Sequence, residues 1–272
     1  MYEKLQISSS SCPIYDKPST KANLETEGLF GELFFVKEKR SNWYYGFLET
    51  DKCYGWIHKS NLEYPLDTNY KVISVRSIVL SEPDVKSKSL FHIPMCSLVH
   101  VKKIIGKWVQ IYFKKRECLK FGYIPKNHIS KVGSQNINWK QIALNLKNIP
   151  YKWGGRDTLS IDCSSYVQLI CNTQNIYLPR NANEQFSFLK KEFKSEVICP
   201  KLVKGEYEPN FFKKGSLVYW ERHVGILIED NVIIHANAYH NQVQAENIES
   251  TVHRLLKEKL KIKLLYQIFK NH

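Results

Sequence analysis

Alternating apolar and polar positions in the first half of the chain form two similar stretches. Residues 31–62 read GELFFVKEKRSNWYYGFLETDKCYGWIHKSNL, and residues 96–129 read CSLVHVKKIIGKWVQIYFKKRECLKFGYIPKNHI. In both, a strand-like segment precedes a tryptophan, a second alternating segment follows, and a Gly-aromatic-Ile triplet comes near the end. Short alternating segments bounded by turn residues are typical of β-strands. The repeat predicts two small all-β barrels, over residues 7–64 and 72–132.

From Trp139 onward the apolar spacing becomes helical. A second helical segment begins at Cys163, with Ser160 or Asp162 as its N-cap, and a third follows the next proline. The segments GSLVYW, HVGILIEDN, VIIHANAYH and LLYQIF then have the apolar pattern of strands. Helices followed by an antiparallel sheet predict an α+β domain over residues 137–272.

The composition is that of an ordinary globular protein, with 43% hydrophobic and 24% charged residues. No apolar run reaches the about 18 residues of a membrane span. The N-terminal segment lacks the basic start and apolar core of a secretory signal. We therefore expect a cytoplasmic protein with no membrane partner. The seven cysteines are odd in number and form no CxxC motif, so we expect reduced thiols and neither a metal nor a cofactor.

The formal net charge of +14 suggests either a polyanionic partner or a lysine-rich solvated surface. The lysines are dispersed, no block of five like charges occurs, and only short clusters such as VKEKR and YFKKRE stand out. Binding of single-stranded nucleic acid combines a basic groove with stacking aromatic residues. We therefore favour the solvated surface and expect no nucleic-acid partner.

Cys163 differs from the other cysteines because it starts an apolar-periodic segment between polar neighbours. A helix N-terminus favours an anion and lowers the pKa of a thiol, which predicts a nucleophile. Such a thiol needs an imidazole to accept its proton, and His223 and His235 lie on two successive predicted strands. The two histidines face the same side of a hairpin if the loop has an odd number of residues, such as 229–231. A strict two-residue turn would place them on opposite faces.

Four segments of residues 139–269 carry a family resemblance: PYKWGGRDTLSIDCSSYVQ, LPRNANEQ, GSLVYWERHVGIL and IIHANAYHNQV. Together they resemble the NlpC-type papain-like cysteine peptidases, which cleave bacterial cell-wall peptides. The two repeats resemble bacterial SH3 (SH3b) domains, an arrangement typical of γ-D-glutamyl-L-diamino-acid endopeptidases. The resemblance implies a multidomain fold, in which two small all-β SH3-like barrels precede an α+β papain-like (NlpC-type) catalytic domain.

The same resemblance implies catalytic residues and a reaction. Cys163 resembles the nucleophile of the family, His223 the general base, and His235 the residue that orients the imidazole. The expected reaction is hydrolysis of the γ-D-glutamyl–diamino acid bond of a murein peptide through a thioester. The expected substrate is L-Ala-γ-D-Glu-diaminopimelate, released during recycling of murein.

Five further residues match positions that bind substrate in the family. Asp162 and Ser164 resemble residues at the substrate end of the cleft. Arg180 lies in the matching LPR motif, where either a buried ion pair or a substrate contact is expected. Asn181 replaces the aspartate usual after LPR, which removes a carboxylate from the expected pocket for a free amine. Tyr54 corresponds, with a shift in position, to a tyrosine that closes this pocket.

Other functions remain compatible with the sequence. The same three residues would serve an exported cell-wall hydrolase, or an amidase or acyltransferase, because hydrolysis and transfer share the acyl-enzyme. A non-catalytic protein that binds through SH3-like barrels is the remaining alternative, although the intact Cys–His–His set favours an enzyme. The sequence leaves the oligomeric state open.

Overall fold

The computed structural model describes residues 2–134, 137–202 and 206–270, and within them the chain folds into two β domains and a C-terminal α+β domain. The strands of the first β domain are β1 Glu3–Ile7, β2 Ser11–Tyr15, β3 Leu24–Leu29, β4 Leu33–Arg40, β5 Trp43–Leu48, β6 Tyr54–His58 and β7 Leu62–Glu63. The strands of the second β domain are β8 Tyr70–Val72, β9 Arg76–Leu80, β10 Ser89–Pro94, β11 Leu98–Ile105, β12 Trp108–Lys115, β13 Cys118–Pro125 and β14 Ile129–Lys131.

The two β domains have the same strand order, as the sequence repeat predicts. The orders are β3-β2-β6-β5-β4-β1-β7 and β10-β9-β13-β12-β11-β8-β14, and a short 3₁₀ turn precedes the last strand of each. Gly55 and Gly122 are equivalent positions at which two strands cross closely. A Cβ would lie 2.8 Å from the Tyr15 carbonyl oxygen at Gly55 and 3.0 Å from that of Leu80 at Gly122. The first sheet begins at Glu3, before the boundary predicted from the sequence.

The C-terminal domain packs helices against one antiparallel sheet. Its helices are α1 Trp139–Asn145, α2 Cys163–Thr173, α3 Ala182–Glu192 and α4 Ile248–Lys257. Its sheet has the order β18-β17-β16-β15-β19, with bounds β15 Ser216–Trp220, β16 His223–Glu229, β17 Val232–Asn237, β18 Gln242–Asn247 and β19 Leu264–Gln267. Helix α2 packs on β16 and β17 and is buried along its whole length. It is therefore enclosed on all sides, not only along the apolar stripe that periodicity predicts.

Two elements, β18 and α4, were not predicted from the sequence, and residues 190–212 had no predicted structure. In the last segment, residues 190–192 belong to the end of α3, Ile198 pairs with Leu265 beside the sheet, and a 3₁₀ turn spans Pro209–Phe211. Residues 203–205 lie outside the described residues. No helix in the described part of the chain is both long and apolar enough to cross a membrane.

Buried ion pairs join the first β domain to the C-terminal domain. Arg156 donates two hydrogen bonds to Glu32, of 2.6 and 2.7 Å, and both side chains are almost fully buried. Glu27 accepts the backbone N–H groups of Arg156 and Asp157, each at 2.9 Å, and Asp157 also pairs with Arg76 of the second β domain. The loop that precedes α2 therefore contacts all three domains, which fixes the β domains next to the start of this helix.

Candidate active site

Helix α2 begins at Cys163 because Asp162 caps it. The Asp162 carboxylate accepts the Ser165 backbone N–H at 2.9 Å, and the Ser165 hydroxyl accepts the Asp162 N–H at 3.1 Å. This reciprocal capping box satisfies two of the donors that a helix start leaves without partners. Of the two N-caps predicted from the sequence, the structure has Asp162. Cys163 thus occupies the first helical position, where its own N–H has no acceptor within the helix.

Arg180 lies beneath this helix start as a buried structural cation. Its guanidinium donates to the Asp162 carboxylate at 2.6 and 3.1 Å, to the Ser164 hydroxyl at 2.9 Å and to the Thr26 hydroxyl at 2.7 Å. Burial alone would raise the pKa of Asp162, but Arg180 and the helix amides outweigh burial and lower it. Of the two roles that the sequence left open for Arg180, the geometry favours the ion pair.

The Cys163 sulfur lies beside the backbone that carries His223. It is 3.8 Å from the Arg222 carbonyl oxygen, and the Val224 N–H donates a hydrogen bond to it. Burial, and secondly the charge of Asp162, raise the pKa of Cys163 to about 12. The expected lowering by the helix N-terminus is therefore wrong for this structure, because the cost of desolvating a thiolate in a side chain only 5% exposed is larger. The resting thiol is neutral, and attack requires a base.

His223 and His235 form a direct hydrogen bond, with 2.7 Å between Nε2 of His223 and Nδ1 of His235. The turn between their strands has two residues, since Glu229 pairs with Val232, and by parity this would separate the histidines. A β-bulge between Leu227 and Glu229 adds one residue on β16 and restores a common face. The expected common face thus arises from a bulge and not from the length of the loop.

The pKa of His223 lies well below its usual range, because burial and then the neighbouring His235 disfavour the imidazolium. The imidazole is therefore neutral at neutral pH and has a free lone pair. Because Nε2 is bound to His235, Nδ1 is the ring nitrogen that remains for the thiol.

A cleft of about 750 Å³ opens over Cys163. Both the first β domain and the C-terminal domain contribute to its walls, which comprise Asn23, Leu24, Glu25, Trp153, Gly154, Asp162, Cys163, Ser164, Asn181, Ala182, Asn183, Glu184 and Arg222. Three of the five residues expected to bind substrate therefore line it, namely Asp162, Ser164 and Asn181. Arg180 is buried behind the wall. Tyr54 lies outside the lining, with its hydroxyl 3.2 Å from Lys37 Nζ.

Further polar groups, which were not predicted from the sequence, lie in the cleft or next to the candidate catalytic residues. Glu25 brings a carboxylate to the cleft from the first β domain, and Glu246 and Arg254 lie behind His235. Tyr151 is close enough to Cys163 for the charge of a thiolate to raise its pKa, after burial as the larger cause. The apolar alternation of Val243 and Ala245 within QVQAEN was the available signal for the strand that carries Glu246.

A second groove of about 860 Å³ lies between the two β domains, away from the thiol. The two basic clusters of the sequence meet here, since the lining includes Lys39 of VKEKR and Lys114, Lys115 and Arg116 of YFKKRE. Glu63 accepts the N–H groups of Arg116 and Glu117, at 2.6 and 3.1 Å. The lining contains no cysteine or histidine among the described residues, so the chemistry belongs to the smaller cleft.

Comparisons with known proteins match two parts of the chain to known families. The NlpC/P60 family matches residues 148–259, and the bacterial dipeptidyl-peptidase SH3 domain matches residues 14–62. Dipeptidyl-peptidase 6 of Lysinibacillus sphaericus is 22% identical over 258 residues, which cover 87% of this chain and 88% of that protein. The murein DD-endopeptidase/murein LD-carboxypeptidase MepS of Escherichia coli is 32% identical over 109 residues, which cover 40% of this chain and 49% of that protein.

The crystal structure of an NlpC/P60 family protein from Bacillus cereus has a TM-score of 0.76 and covers 97% of this chain and 99% of its own, at 16% identity. This likeness supports the fold over the whole chain. The SH3 match covers the first β domain, and the assignment of the second as an SH3 domain stays a prediction that rests on its strand order. Residues 148–259 are therefore similar to the NlpC/P60 family, and residues 14–62 to the bacterial dipeptidyl-peptidase SH3 domain.

Proposed function

We propose that this protein is a cysteine peptidase that hydrolyses the γ-D-glutamyl–diamino acid bond of murein peptides. One observation carries the proposal. In the cleft, the thiol of Cys163 at the capped start of α2 lies against the backbone next to His223. The ring of His223 is in turn hydrogen-bonded to His235. The name of the Escherichia coli relative, a murein peptidase, supports murein peptides as the substrate class. We further propose a cytoplasmic role in recycling, with L-Ala-γ-D-Glu-diaminopimelate as substrate.

The proposed reaction starts from the neutral Cys–His pair. As the Cys163 sulfur attacks the γ-glutamyl carbonyl carbon, its proton moves to Nδ1 of His223 and the carbonyl oxygen takes up the negative charge. The intermediate collapses, the C–N bond breaks, and the departing amine receives the proton from His223. Water then attacks the thioester with His223 as base, and the Cys163 sulfur leaves with the proton restored. His235 holds the imidazole through its 2.7 Å contact.

The oxyanion is stabilised by donors at the start of α2. The Cys163 N–H is one, because a first-turn amide has no acceptor within its helix. The Tyr151 hydroxyl is the candidate for a second, since its raised pKa keeps it protonated at neutral pH. Loss of one such donor costs about 10²–10³-fold in kcat in comparable sites.

The charges of the cleft favour a substrate with a free amine. The Asp162 carboxylate is engaged by Arg180, and Glu184 accepts the Asn181 N–H at 3.2 Å. Glu25 lines the same cleft, is exposed, and has no ion-pair partner among the described residues. We therefore propose that Glu25 supplies the carboxylate for the L-Ala ammonium that Asn181 does not offer.

The test is product analysis by mass spectrometry on L-Ala-γ-D-Glu-diaminopimelate, on the corresponding tetrapeptide and on intact sacculus. We expect release of L-Ala-γ-D-Glu, and loss of about 10⁴–10⁶-fold in kcat for Cys163→Ala. Cys118→Ala, at an exposed cysteine, is the matched control and should keep full activity. Turnover by Cys163→Ala would refute the nucleophile.

The same assay separates the alternative functions. Equal rates on sacculus and free tripeptide would indicate an exported wall hydrolase. Products that carry an added amine in place of water would indicate an acyltransferase. Binding of murein peptide without any product in the wild-type protein would indicate a non-catalytic binding protein.

A further inference from the structure

The hydrogen bonds that begin at His223 continue beyond His235. Nε2 of His235 lies 2.8 Å from Oε1 of Glu246, and Arg254 donates two hydrogen bonds to the Glu246 carboxylate, at 2.5 and 2.8 Å. Neither Glu246 nor Arg254 lines the cleft over Cys163. The hydrogen-bonded route from these two residues to His223 therefore runs through His235.

Strand register places these groups in one row. Ile233 pairs with Glu246 and His235 pairs with Gln244, so Glu246 is a diagonal neighbour of His235 on the same face of the sheet. Helix α4 follows β18 directly, with Asn247 as its N-cap, and presents Arg254 to the carboxylate. The backbone alone thus fixes the order His235, Glu246, Arg254.

Glu246 is ionised in this setting. Burial would raise its pKa, but hydrogen bonds from His235, Arg254 and His240 outweigh burial and lower it. An ionised carboxylate can only accept hydrogen bonds, so Nε2 of His235 must be the protonated nitrogen. Burial is the largest cause that lowers the pKa of His235, which keeps this ring neutral.

A neutral ring with its proton on Nε2 has a lone pair on Nδ1. Nδ1 of His235 therefore accepts, and Nε2 of His223 donates, across their 2.7 Å contact. A neutral His223 ring with its proton on Nε2 has its lone pair on Nδ1. Nδ1 is the nitrogen that is not bound to His235 and can therefore accept the thiol proton. The charge on Glu246 thus determines which nitrogen of a ring two contacts away can act as base.

We propose that Glu246, held by Arg254, is a positioning residue that sets the tautomers of both His235 and His223. This inference rests on the proposed function, in which His223 accepts the Cys163 proton. Glutamine at position 246 would retain the shape of the side chain. Its carbonyl oxygen would face Arg254, and its amide would donate to Nε2 of His235. Both rings would then take the opposite tautomer, and Nδ1 of His223 would carry a proton.

The primary experiment is ¹⁵N NMR of the histidine rings, which separates protonated from lone-pair nitrogens. In the wild-type protein we expect His223 and His235 to be protonated at Nε2, and in Glu246→Gln at Nδ1. Glu249→Gln is the matched control, because Glu249 is an exposed residue three positions away and loses the same charge. Its spectrum should equal that of the wild type.

Kinetics provide the second measurement. We expect Glu246→Gln to lower kcat about 10²–10⁴-fold on the murein tripeptide, as for other enzymes with an inverted histidine tautomer, with KM unchanged within about twofold. Glu246→Asp keeps a carboxylate and should recover at least about tenfold of this loss. The alkylation rate of Cys163 by iodoacetamide, measured on the peptide that contains it, should fall in Glu246→Gln and not in Glu249→Gln.

Three results would overturn the proposal: wild-type rings protonated at Nδ1, unchanged tautomers in Glu246→Gln, or equal loss of kcat in Glu246→Gln and Glu246→Asp. The wild-type spectrum decides the matter even if Glu246→Gln does not fold. NMR and alkylation do not depend on the murein peptide. If the tautomers are as expected but no murein peptide is cleaved, the proposed function fails and the positioning role stands.

Discussion

Replacing Arg180 by methionine tests whether this cation is structural or contacts substrate. Methionine retains most of the side-chain volume but removes every hydrogen bond to Asp162, Ser164 and Thr26. Removing one partner of a buried ion pair costs about 3–5 kcal/mol, because the other charge stays buried. Each neutral hydrogen bond lost adds about 1 kcal/mol at most, and Asp162 keeps its bonds from Ser165 and Gly154. We therefore expect Arg180→Met to lower the free energy of unfolding by about 4–6 kcal/mol.

Urea denaturation measures this change. With a slope of about 2–3 kcal/mol per molar urea, the midpoint should fall by about 1.5–3 M. Arg222→Met is the control, since Arg222 is exposed in the cleft wall and should change stability by less than about 0.5 kcal/mol. Wild-type stability of Arg180→Met together with a raised KM would refute the structural role and assign Arg180 to the substrate.

The pH dependence of the same variant separates charge from packing. In the wild type Arg180 lowers the pKa of Asp162. The pair therefore stabilises the fold at pH values above the unfolded pKa of about 3.9. This stabilisation is lost as the pH falls through the pKa of Asp162 in the folded protein. In Arg180→Met, burial remains and would raise the pKa of Asp162, so acidification removes an unpaired buried charge. The stability difference between the two proteins should therefore shrink from pH 7 toward pH 3. A difference that stays constant over this range would indicate lost packing instead.

Three further predictions concern the base, the cleft and the domain contact. Desolvation lowers the pKa of His223 well below its usual range, so the acid limb of kcat/KM should lie well below pH 6.5. A limb at or above pH 6.5 would contradict a neutral base. Asn181→Asp adds a carboxylate to the cleft and should lower KM about two- to fivefold for a peptide with a free amine, with no change for the N-acetylated peptide in parallel assays. Arg156→Met leaves the buried Glu32 carboxylate unpaired and should destabilise the protein by about 3–5 kcal/mol in urea, while the double variant with Glu32→Gln should recover part of this loss.

Local sequence signals predicted the start of the Cys163 helix because capping is a short-range interaction. Asp162 is next to Cys163 and three residues before Ser165, so the capping box depends only on residues in one turn. The repeated strands of the β domains were likewise visible because alternation is local. These signals place the proposed nucleophile, Cys163, at a helix start but do not determine its environment.

The electrostatics of the site depend on contacts distant in sequence, which is why the pKa of Cys163 was predicted in the wrong direction. A helix N-terminus can be recognised from neighbouring residues, whereas the burial that dominates here comes from strands some 60 residues later. The bulge in β16 and the carboxylate of Glu246 are similar cases. Both require the register of paired strands, and no run of apolar residues specifies that register by itself.

Strand β3 connects the cleft wall to the start of the Cys163 helix. It begins at Leu24, which lies in the cleft wall, and continues into Thr26, which holds Arg180, and Glu27, which accepts the N–H of Arg156. Leu24 packs so closely on Gly154 that a Cβ there would lie 2.9 Å from Leu24 Cγ, and the φ of +76° at Gly154 also requires glycine. Because Arg180 also binds the N-cap of the Cys163 helix, a shift of the first β domain would move the cleft wall and the helix start together. The first β domain is therefore part of the candidate active site, and a C-terminal domain expressed without it would lose both one wall of the cleft and a hydrogen-bond partner of the cation beneath Cys163.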